Sequence, residues 1–584
     1  MQRNPRSKRP IAFMKTQTMK RTVVMRAALA IAVAGLASGC ALQKMEKYQE
    51  ELGAEMSPSP LIVRGDKVEL NITGKFPEKY FHKKVVGEVT PVLIYNDQET
   101  PFKLQGYQGE DAAGNYEVIP YDTGKSFSYT DEIGFDEAMA NSATLELRIK
   151  GTKGNKSAEF EPLVIGQGVR TTPYLMTNDD MPIMSTDNFQ RVLSYTKEAT
   201  VNYGYNSSRL SSKELRDEDV KAMQDFIAEA AASDSLVLKG ATVNSYASPE
   251  GTEELNTPLA SDRAETARPV LEKAVKKNDI ELDLVAFIQN NPKGEDWEGF
   301  KALMEASDIE DKNLIIRVLE MYKDDAKREE EIRNIAATYK EIEQTILPEL
   351  RRSKIVLDYD VEGYTDEELV TLVKANADIL TVEEILFAAT LFDGLDDKLA
   401  AYKEAERLYP TDYRGINNVG YCLYMMNKKD EAKASFEKAW AIQQAAEVAN
   451  NMACVTRPMD REAAMDYLNQ AGGAGNEVNY NKALVQIQNG DYDAAIGNMG
   501  NYNTFNVALV KCLNGDNNGA TAALDNSGDE SAVAYYLRAI IAARSNSGAS
   551  VLSNLQKAVA ADASIGEKAM NDLEFVDFKD QFNF

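Results

Sequence analysis

The sequence contains few of the residues on which catalytic and metal sites depend. Its 584 residues include one histidine, four cysteines and two tryptophans. Histidine is the usual general base and the commonest metal ligand near neutral pH. The only histidine, His82, lies in a segment with a β pattern, so a catalytic triad or a zinc site is not expected. The strings GxSxG, HExxH, CxxC and GxxxxGK(S/T) do not occur. We therefore expect a protein that is not an enzyme and that needs no cofactor.

Disulfide bonds and cysteine-bound metals are not expected either. After Cys40, three cysteines remain, Cys422, Cys454 and Cys512, separated by 32 and 58 residues. An odd number of cysteines cannot form a closed set of disulfides, and these spacings do not match a zinc site. We expect buried thiols that act as small apolar residues.

The N-terminus has the pattern of a secretory signal that ends at a cysteine. Eight Lys or Arg residues and no acid precede the apolar stretch 27–34, and the run Leu36-Ala37-Ser38-Gly39-Cys40 follows. A basic start, a short apolar core and small residues before the cut define such a signal. The cysteine resembles the lipobox of bacterial lipoproteins, which implies a signal peptide over 1–39, a lipidated Cys40 carrying fatty acids such as palmitate, and a chain anchored to a membrane. The alternative is an ordinary signal peptide with a chance cysteine.

The chain is strongly acidic. Its formal net charge is −27, and removal of the eight basic residues of the signal leaves −35. Such a charge repels phosphate backbones and argues against nucleic acid as a partner. It also makes the lipid, and not a basic patch, the expected means of membrane attachment.

Two segments follow the cysteine. Residues 40–60 are polar and end in Ser57-Pro58-Ser59-Pro60, so we expect a tether. Residues 61–166 show alternating apolar and polar positions, as at Val68, Leu70 and Ile72, and predict a small antiparallel β-sandwich. Acids directly after the cysteine direct some Gram-negative lipoproteins to the cell surface. Here Ala41-Leu42-Gln43 come first, so we expect the periplasmic leaflet of the outer membrane.

The segment 190–362 begins with a β-α-β-α pattern and carries a motif. After its second strand come Ser245-Tyr246-Ala247-Ser248-Pro249-Glu250-Gly251, and then Asn256, Leu259, Arg263 and Ala264. This string resembles the OmpA-like peptidoglycan-associating domain in register and without a gap. In that family an aspartate of the loop and the arginine of the helix bind the ammonium and carboxylate ends of diaminopimelate in peptidoglycan.

The resemblance implies peptidoglycan-binding roles for Arg263, Ser248, Asn256 and Glu250. A guanidinium grips a carboxylate with two parallel hydrogen bonds, which suits Arg263. The aspartate position holds Ser248, which supplies no charge, and Glu250 is a possible substitute. The alternative is a structural copy in which Arg263 only fixes the loop to the helix.

The last strand of this domain is delayed. Residues 278–347 are acidic and mostly helical in pattern, and 350–357 then resembles the closing strand of the OmpA-like fold. We therefore predict a helical insertion over 278–347 in a βαβαβ domain.

The segment 365–584 has the pattern of helical hairpins. In the clearest unit, 412–442, a first helix with Val419-Gly420 precedes a second with Ala432, Phe436 and Ala439, which matches the tetratricopeptide (TPR) pattern. Looser units carry Ala453, Ala483 and Ala508 in their first helices. Asparagines recur there as well and could clamp a peptide backbone or form exposed polar faces: Asn417, Asn418, Asn450, Asn451, Asn479 and Asn481.

These patterns predict an α+β multidomain protein with an N-terminal β-sandwich, an OmpA-like domain and a TPR solenoid. The expected function is that of a non-enzymatic, lipid-anchored outer-membrane scaffold that links membrane, peptidoglycan and protein partners. One alternative is a subunit of an outer-membrane assembly or secretion complex whose OmpA-like domain no longer binds peptidoglycan. Another is a glycan-processing enzyme in the β domain, which would require a carboxylate pair.

Overall fold

The computed structural model describes residues 40–140 and 143–583, and the predicted signal peptide lies outside them. The described chain forms two compact units. The first unit contains the residues up to 181 together with 456–469 and 475–583, and the second contains 182–455 together with 470–474.

The first unit begins with helix α1 (Cys40–Lys47), a 3-10 turn (Gln49–Leu52) and strand β1 (Glu55–Ser57). These elements stand where a tether was expected. Leu42 and Met45 of α1 are buried. They are three residues apart and therefore share one face of the helix. The polar composition of the segment hid this apolar stripe. Residues from Cys40 onward therefore belong to the folded domain that was predicted to begin at residue 61.

Two sheets make up the rest of the N-terminal region. One has the order β1-β3-β2-β12 with β8 paired to β3, and the other has the order β10-β9-β4-β6-β7 with β11 paired to β9 and β5 to β4. Their strands are β2 (Leu61–Arg64), β3 (Lys67–Phe76), β4 (Val86–Tyr95), β5 (Gln98–Pro101), β6 (Gln105–Gly109), β7 (Glu117–Ile119), β8 (Lys125–Gly134), β9 (Thr144–Lys153), β10 (Lys156–Glu159), β11 (Leu163–Gln167) and β12 (Val169–Arg170). Alternate residues of both sheets, such as Leu70 and Leu145, share one buried core. This confirms the predicted sheet-rich N-terminal region.

The second unit opens with a four-stranded sheet in the order β13-β16-β14-β15. Its elements are β13 (Val192–Asn202), α2 (Glu218–Ala232), β14 (Leu236–Ala247), α3 (Glu253–Lys277), α4 (Leu284–Phe287), β15 (Ile288–Glu295), α5 (Trp297–Ala306), α6 (Lys312–Met321), α7 (Asp325–Arg333), α8 (Ala336–Thr345), α9 (Leu347–Leu350) and β16 (Arg352–Glu362). β15 runs parallel to β14, whereas β16 is antiparallel to β13 and β14. The sheet places the end of β14 beside α3, where the predicted loop lies.

β15 differs from the sequence prediction, because it lies within the expected helical insertion. Its sequence, IQNNPKGE, contains residues that are rare in strands, and Pro292 lacks a ladder donor. An edge strand tolerates such residues, since one side of its backbone has no neighbour. The helical insertion itself therefore follows β15, as α5 to α9 around a core that includes Phe300, Met304 and Ile315.

The rest of the described chain consists of helical hairpins, as predicted. The second unit contains α10 (Asp366–Ala375), α11 (Val382–Thr390), α12 (Leu395–Leu408), α13 (Tyr413–Met425), α14 (Lys429–Ile442) and most of α15 (Ala446–Thr456). The first unit contains nearly all of α16 (Arg461–Gln470), and α17 (Glu477–Gln488), α18 (Tyr492–Met499), α19 (Phe505–Leu513), α20 (Asn517–Ser527), α21 (Ala532–Arg544), α22 (Gly548–Ala561) and α23 (Ser564–Asn571). A Cβ on Gly420 would stand 2.6 Å from the Phe436 ring. This close approach is what the small residue of the TPR pattern allows.

The cysteines of the hairpins are buried free thiols, as expected. They are Cys422, Cys454 and Cys512. Burial raises the pKa of Cys422 and of Cys512 to about 11. A thiol with so high a pKa carries little thiolate near neutral pH.

Candidate functional site

In the second unit, asparagines of two first helices bind the main chain of an extended segment. Asn418 on α13 accepts the Ser185 N–H at 2.7 Å and donates to the Ser185 carbonyl at 2.9 Å. Asn451 on α15 does the same for Ile183, with both distances 2.7 Å. A side-chain amide has one acceptor and two donors, so it can satisfy both groups of one residue.

Two further asparagines hold these side chains in place. Asn417 accepts from the Asn451 amide at 2.8 Å and donates to the Ile183 carbonyl at 3.1 Å. Asn450 donates to the Asn451 Oδ1 at 3.2 Å. Asn417, Asn418, Asn450 and Asn451 are all buried, and buried amides of this kind need such partners.

The first unit repeats the arrangement. Asn481 on α17 accepts the Met181 N–H at 2.8 Å and donates to the Met181 carbonyl at 2.9 Å. Asn506 on α19 accepts the Thr177 N–H at 3.0 Å and donates to the Thr177 carbonyl at 2.9 Å. We call Asn418, Asn451, Asn481 and Asn506 the asparagine clamp, and residues 177–185 the clamped segment.

The positions of the clamp follow the repeat. Each clamp asparagine stands two residues before the small residue of its first helix, which is Gly420, Ala453, Ala483 or Ala508. That spacing identifies Asn506, which the sequence analysis missed, and rejects Asn479, which is exposed. Within each unit the two clamped residues, 177 and 181 in the first and 183 and 185 in the second, are separated by an even number. Residues so spaced on an extended backbone face the same side. The clamp therefore binds the main chain at each of these four residues.

Side chains of the clamped segment make their own contacts in the first unit. Arg457 binds Asp180 through two hydrogen bonds of 2.6 Å, and both side chains are buried. Asp179 accepts from the Tyr480 hydroxyl at 2.6 Å and from the Asn506 amide at 2.5 Å. Burial raises the pKa of Asp179 despite these bonds. A buried ion pair of this geometry fixes the segment at one register.

The second unit holds the following residues in a similar way. The Ser185 hydroxyl donates to Glu447 at 2.9 Å, and the Asn188 N–H donates to Glu383 at 2.6 Å. The Phe189 ring stacks on Phe387 with 4.5 Å between centroids. The connection between the predicted sandwich and the sheet domain, which showed no periodicity, is thus an ordered strap within each unit.

The predicted ligand-binding arginine of the sheet domain is buried. Arg263 on α3 has an exposed fraction of 1%. Its Nε donates to the Ser207 carbonyl at 3.1 Å and its Nη1 to the Tyr246 carbonyl at 2.6 Å, and the guanidinium lies 5.0 Å from the centroid of the Tyr203 ring. Burial lowers the pKa of Arg263 to about 10.

The loop carboxylate is paired with another arginine. Glu250 forms two hydrogen bonds with Arg351, of 2.8 and 3.1 Å, and both side chains are about nine-tenths buried. The Ser248 hydroxyl also donates to Glu250, and Arg333 of α7 donates to the Glu250 carbonyl at 2.6 Å. The helical insertion therefore contacts this loop directly.

Asn256 completes the loop. Its amide donates to the Ser248 carbonyl at 3.3 Å and to Glu295 at 2.8 Å. Burial raises the pKa of Glu295, which also accepts from the Trp297 indole at 3.0 Å. Ser248, Glu250 and Asn256 thus contact one another in this loop, whereas Arg263 donates to main-chain carbonyls. Neither Arg351 nor Arg333 was singled out by the sequence analysis, because both lie far along the chain.

Cys40 is exposed at the first described position of α1. None of the helices in the described part of the chain is both long enough and apolar enough to cross a membrane. Within residues 40–140 and 143–583, no group of three or more His, Cys, Asp or Glu side chains is arranged to hold a metal ion.

Comparison of the chain with solved structures finds matches that include TPR proteins. No protein-family model matches it, and no curated protein matches it. A tetratricopeptide repeat protein from Parabacteroides merdae is 14% identical, with 35% of this chain and 88% of that chain covered and a TM-score of 0.27. YrrB, a TPR protein with an unusual peptide-binding site, is 19% identical over 35% and 98% of the two chains with a TM-score of 0.21. PilF from Pseudomonas aeruginosa is 15% identical over 37% and 99%, with a TM-score of 0.27. TM-scores this low carry no argument about function.

Proposed function

We propose that this chain is a non-enzymatic scaffold, anchored to the outer membrane through a lipidated Cys40, that belongs to an outer-membrane assembly or secretion complex. Its helical hairpins recruit protein partners, and its OmpA-like sheet domain serves as a docking fold and not as a peptidoglycan tether. The mechanism is tethering, in which one chain raises the effective concentration of the proteins it holds.

The environment of Arg263 is the observation that carries the proposal. Recognition of a carboxylate requires guanidinium donors that a ligand can reach. Arg263 is 1% exposed and donates to the carbonyls of Ser207 and Tyr246. The loop carboxylate, Glu250, already has Arg351 as its partner. Both charges that a diaminopimelate side chain would need are therefore engaged within the domain.

The hairpins support the recruiting role. Arrays of helical repeats present extended surfaces for other proteins. The asparagine clamp is filled by the chain's own residues 177–185. A partner peptide would have to displace a segment held by the buried Arg457–Asp180 pair. We therefore assign partner binding to the outer surfaces of the hairpins and not to the clamp.

Co-sedimentation with purified diaminopimelate-type peptidoglycan tests the assignment of the sheet domain. The full mature chain and its Arg263→Ala variant are incubated with the insoluble polymer and centrifuged, with a known peptidoglycan-binding protein as the positive control. We expect both chains to remain in the supernatant. Pelleting of the wild type that Arg263→Ala abolishes would overturn the proposal.

Peptidoglycan linkage is the second candidate function. It is favoured by the match of Gly251, Asn256, Leu259 and Arg263 to the OmpA-like pattern. It requires Arg263 to leave its carbonyl partners when the polymer binds. Arg263-dependent pelleting in the same experiment is the result that this candidate predicts.

A further inference from the structure

Helix α1 presents the predicted lipidation site and two lysines on one exposed face. Cys40, Lys44 and Lys47 are exposed and stand at positions i, i+4 and i+7, whereas Leu42 and Met45 are buried. Residues at these spacings lie one above the other on a helix. The cysteine and both ammonium groups therefore point away from the domain on the same side.

The turn between β9 and β10 adds two more lysines beside α1. A Cβ on Gly151 of β9 would stand 2.9 Å from Leu42 of α1. Lys153 follows on the same face of the strand, about 7 Å further along. Lys156 lies directly opposite Lys153 in the ladder, and opposite residues of a ladder share a face.

Lys84 extends this group of charges. Lys153 Nζ lies 3.2 Å from His82 Nε2, and the Lys84 N–H donates to His82 Nδ1. Burial lowers the pKa of His82, and the positive charges of Lys153 and Lys84 lower it further against the opposing negative charge of Asp111. We call Lys44, Lys47, Lys84, Lys153 and Lys156 the basic face.

The basic face contrasts with the acidic net charge of the chain. The whole chain has a net charge of −27, yet in the described residues none of the five lysines of the basic face forms an ion pair, whereas nearby Lys83 and Lys125 do. The acids closest in sequence are Glu46, which is half-buried, and the exposed Glu50 and Glu159. What distinguishes the basic face is therefore the grouping of its lysines with α1, which bears Cys40.

We propose that the basic face contacts anionic phospholipid headgroups next to the lipidated Cys40. This inference rests on the proposed lipid anchor. Only Ala41 separates Cys40 from the buried Leu42, so an acylated Cys40 holds the domain against the bilayer with no tether between them. Lysines within about 10 Å of an anionic membrane are attracted to it. The lipid supplies attachment, and the basic face sets which side of the sandwich meets the membrane.

Vesicle sedimentation of a chain that cannot be acylated isolates the basic face. The mature chain with Cys40→Ser is mixed with vesicles of phosphatidylcholine alone or with about one third phosphatidylglycerol. We expect binding to the anionic vesicles only, and a loss of that binding as salt is raised. The test variant combines Lys44→Glu, Lys47→Glu, Lys153→Glu and Lys156→Glu. A control with the same change in net charge combines Lys221→Glu, Lys273→Glu, Lys293→Glu and Lys403→Glu, all at exposed positions of the second unit.

We expect the test variant to bind anionic vesicles at least about tenfold more weakly, and the control to remain within about twofold of the parent. Equal weakening by the two variants, or no binding by the parent, would overturn the proposal. A second readout avoids substitutions altogether. On anionic vesicles, the acylated wild type should lose lysine reactivity towards acetylation at Lys44, Lys47, Lys153 and Lys156, and retain it at Lys221.

Mass spectrometry of the Cys40 peptide separates this inference from the proposed function. An acylated Cys40 with unchanged lysine reactivity on vesicles leaves the anchor in place and rejects the basic face. An unmodified Cys40 in cells rejects the lipid anchor itself, whatever the vesicles show.

Discussion

Two sites of the molecule place buried polar side chains where the sequence suggested a ligand: the asparagine clamp, and the loop after β14 together with Arg263 of α3. In both sites, groups of the chain itself occupy the hydrogen-bonding positions that a ligand would use. The two sites differ in what is held. The clamp holds the main chain of a distant segment, residues 177–185, by a bond pattern repeated in each unit. At the second site, Arg263 of α3 donates to the carbonyls of Ser207 and Tyr246 in its own domain.

The two sites also differ in charge compensation. In the clamped segment, Asp180 meets Arg457 as a buried pair. Arg263 of α3 contacts two main-chain carbonyls and the Tyr203 ring. Burial lowers the pKa of Arg263 to about 10. A buried charge with an opposite partner is costly to unpair, whereas one without such a partner loses less when it is removed. The difference therefore predicts unequal results for the same substitution.

Arg457→Met should have the largest effect. It leaves the buried Asp180 carboxylate without its guanidinium partner, which costs about 3–5 kcal/mol. We expect that loss in the free energy of unfolding of the first unit, measured by urea denaturation. Arg538→Met is the matched control, since Arg538 pairs with an exposed Asp525, and it should cost at most about 1 kcal/mol. Equal costs would mean that the Arg457–Asp180 pair does not hold the segment.

Asn451→Ala should have the next largest effect. The Ile183 N–H loses its acceptor, whereas the Ile183 carbonyl keeps Asn417 as a donor. The Asn417 Oδ1 also loses the Asn451 amide that donates to it. Unpaired buried groups cost about 1–3 kcal/mol each, so we expect a loss of about 2–3 kcal/mol in the free energy of unfolding. Hydrogen exchange should show faster exchange of the Ile183 amide in this variant.

Asn479→Ala is the control for the clamp, because Asn479 is exposed on α17. It should change stability by no more than about 0.5 kcal/mol. Similar exchange of the Ile183 amide in both variants would show that Asn451 does not clamp the segment.

Sequence patterns revealed the parts of the molecule that repeat. The hairpins, the small residue at Gly420 and the asparagines before it recur at helical spacing, so the clamp was open to prediction, and the same spacing would have added Asn506. The occupant of the clamp was not, since residues 177–185 have no periodicity and lie some 230 to 330 residues from their partners. The partner of Glu250 could not be predicted either, because Arg351, which binds Glu250, lies beyond the helical insertion. The sequence analysis missed β15 because its residues have low strand propensity, and it missed α1 because the segment is polar in composition.

Arg263→Met should cost less than Arg457→Met. The substitution removes hydrogen bonds to two carbonyls but also removes the penalty for burying the guanidinium. We expect a loss of about 1–2 kcal/mol in the free energy of unfolding of the second unit. A loss of 3 kcal/mol or more would mean that Arg263 has an anionic partner. Arg263 would then resemble Arg457, which forms a buried ion pair with Asp180.

Asp179→Asn should have the smallest effect, visible only in its pH dependence. Burial raises the pKa of Asp179 in the folded chain above its unfolded value of about 4. The folded state therefore holds a proton that the unfolded state has lost, and the free energy of unfolding falls as pH rises from about 4 through the raised pKa. The amide keeps an oxygen for Asn506 and cannot titrate, so the stability of Asp179→Asn relative to wild type should increase with pH over this window. Asp577→Asn, at an exposed position of the same unit, should show no such trend. A flat difference for both variants would place Asp179 in water, and with it the part of the clamped segment that Asn506 and Tyr480 contact.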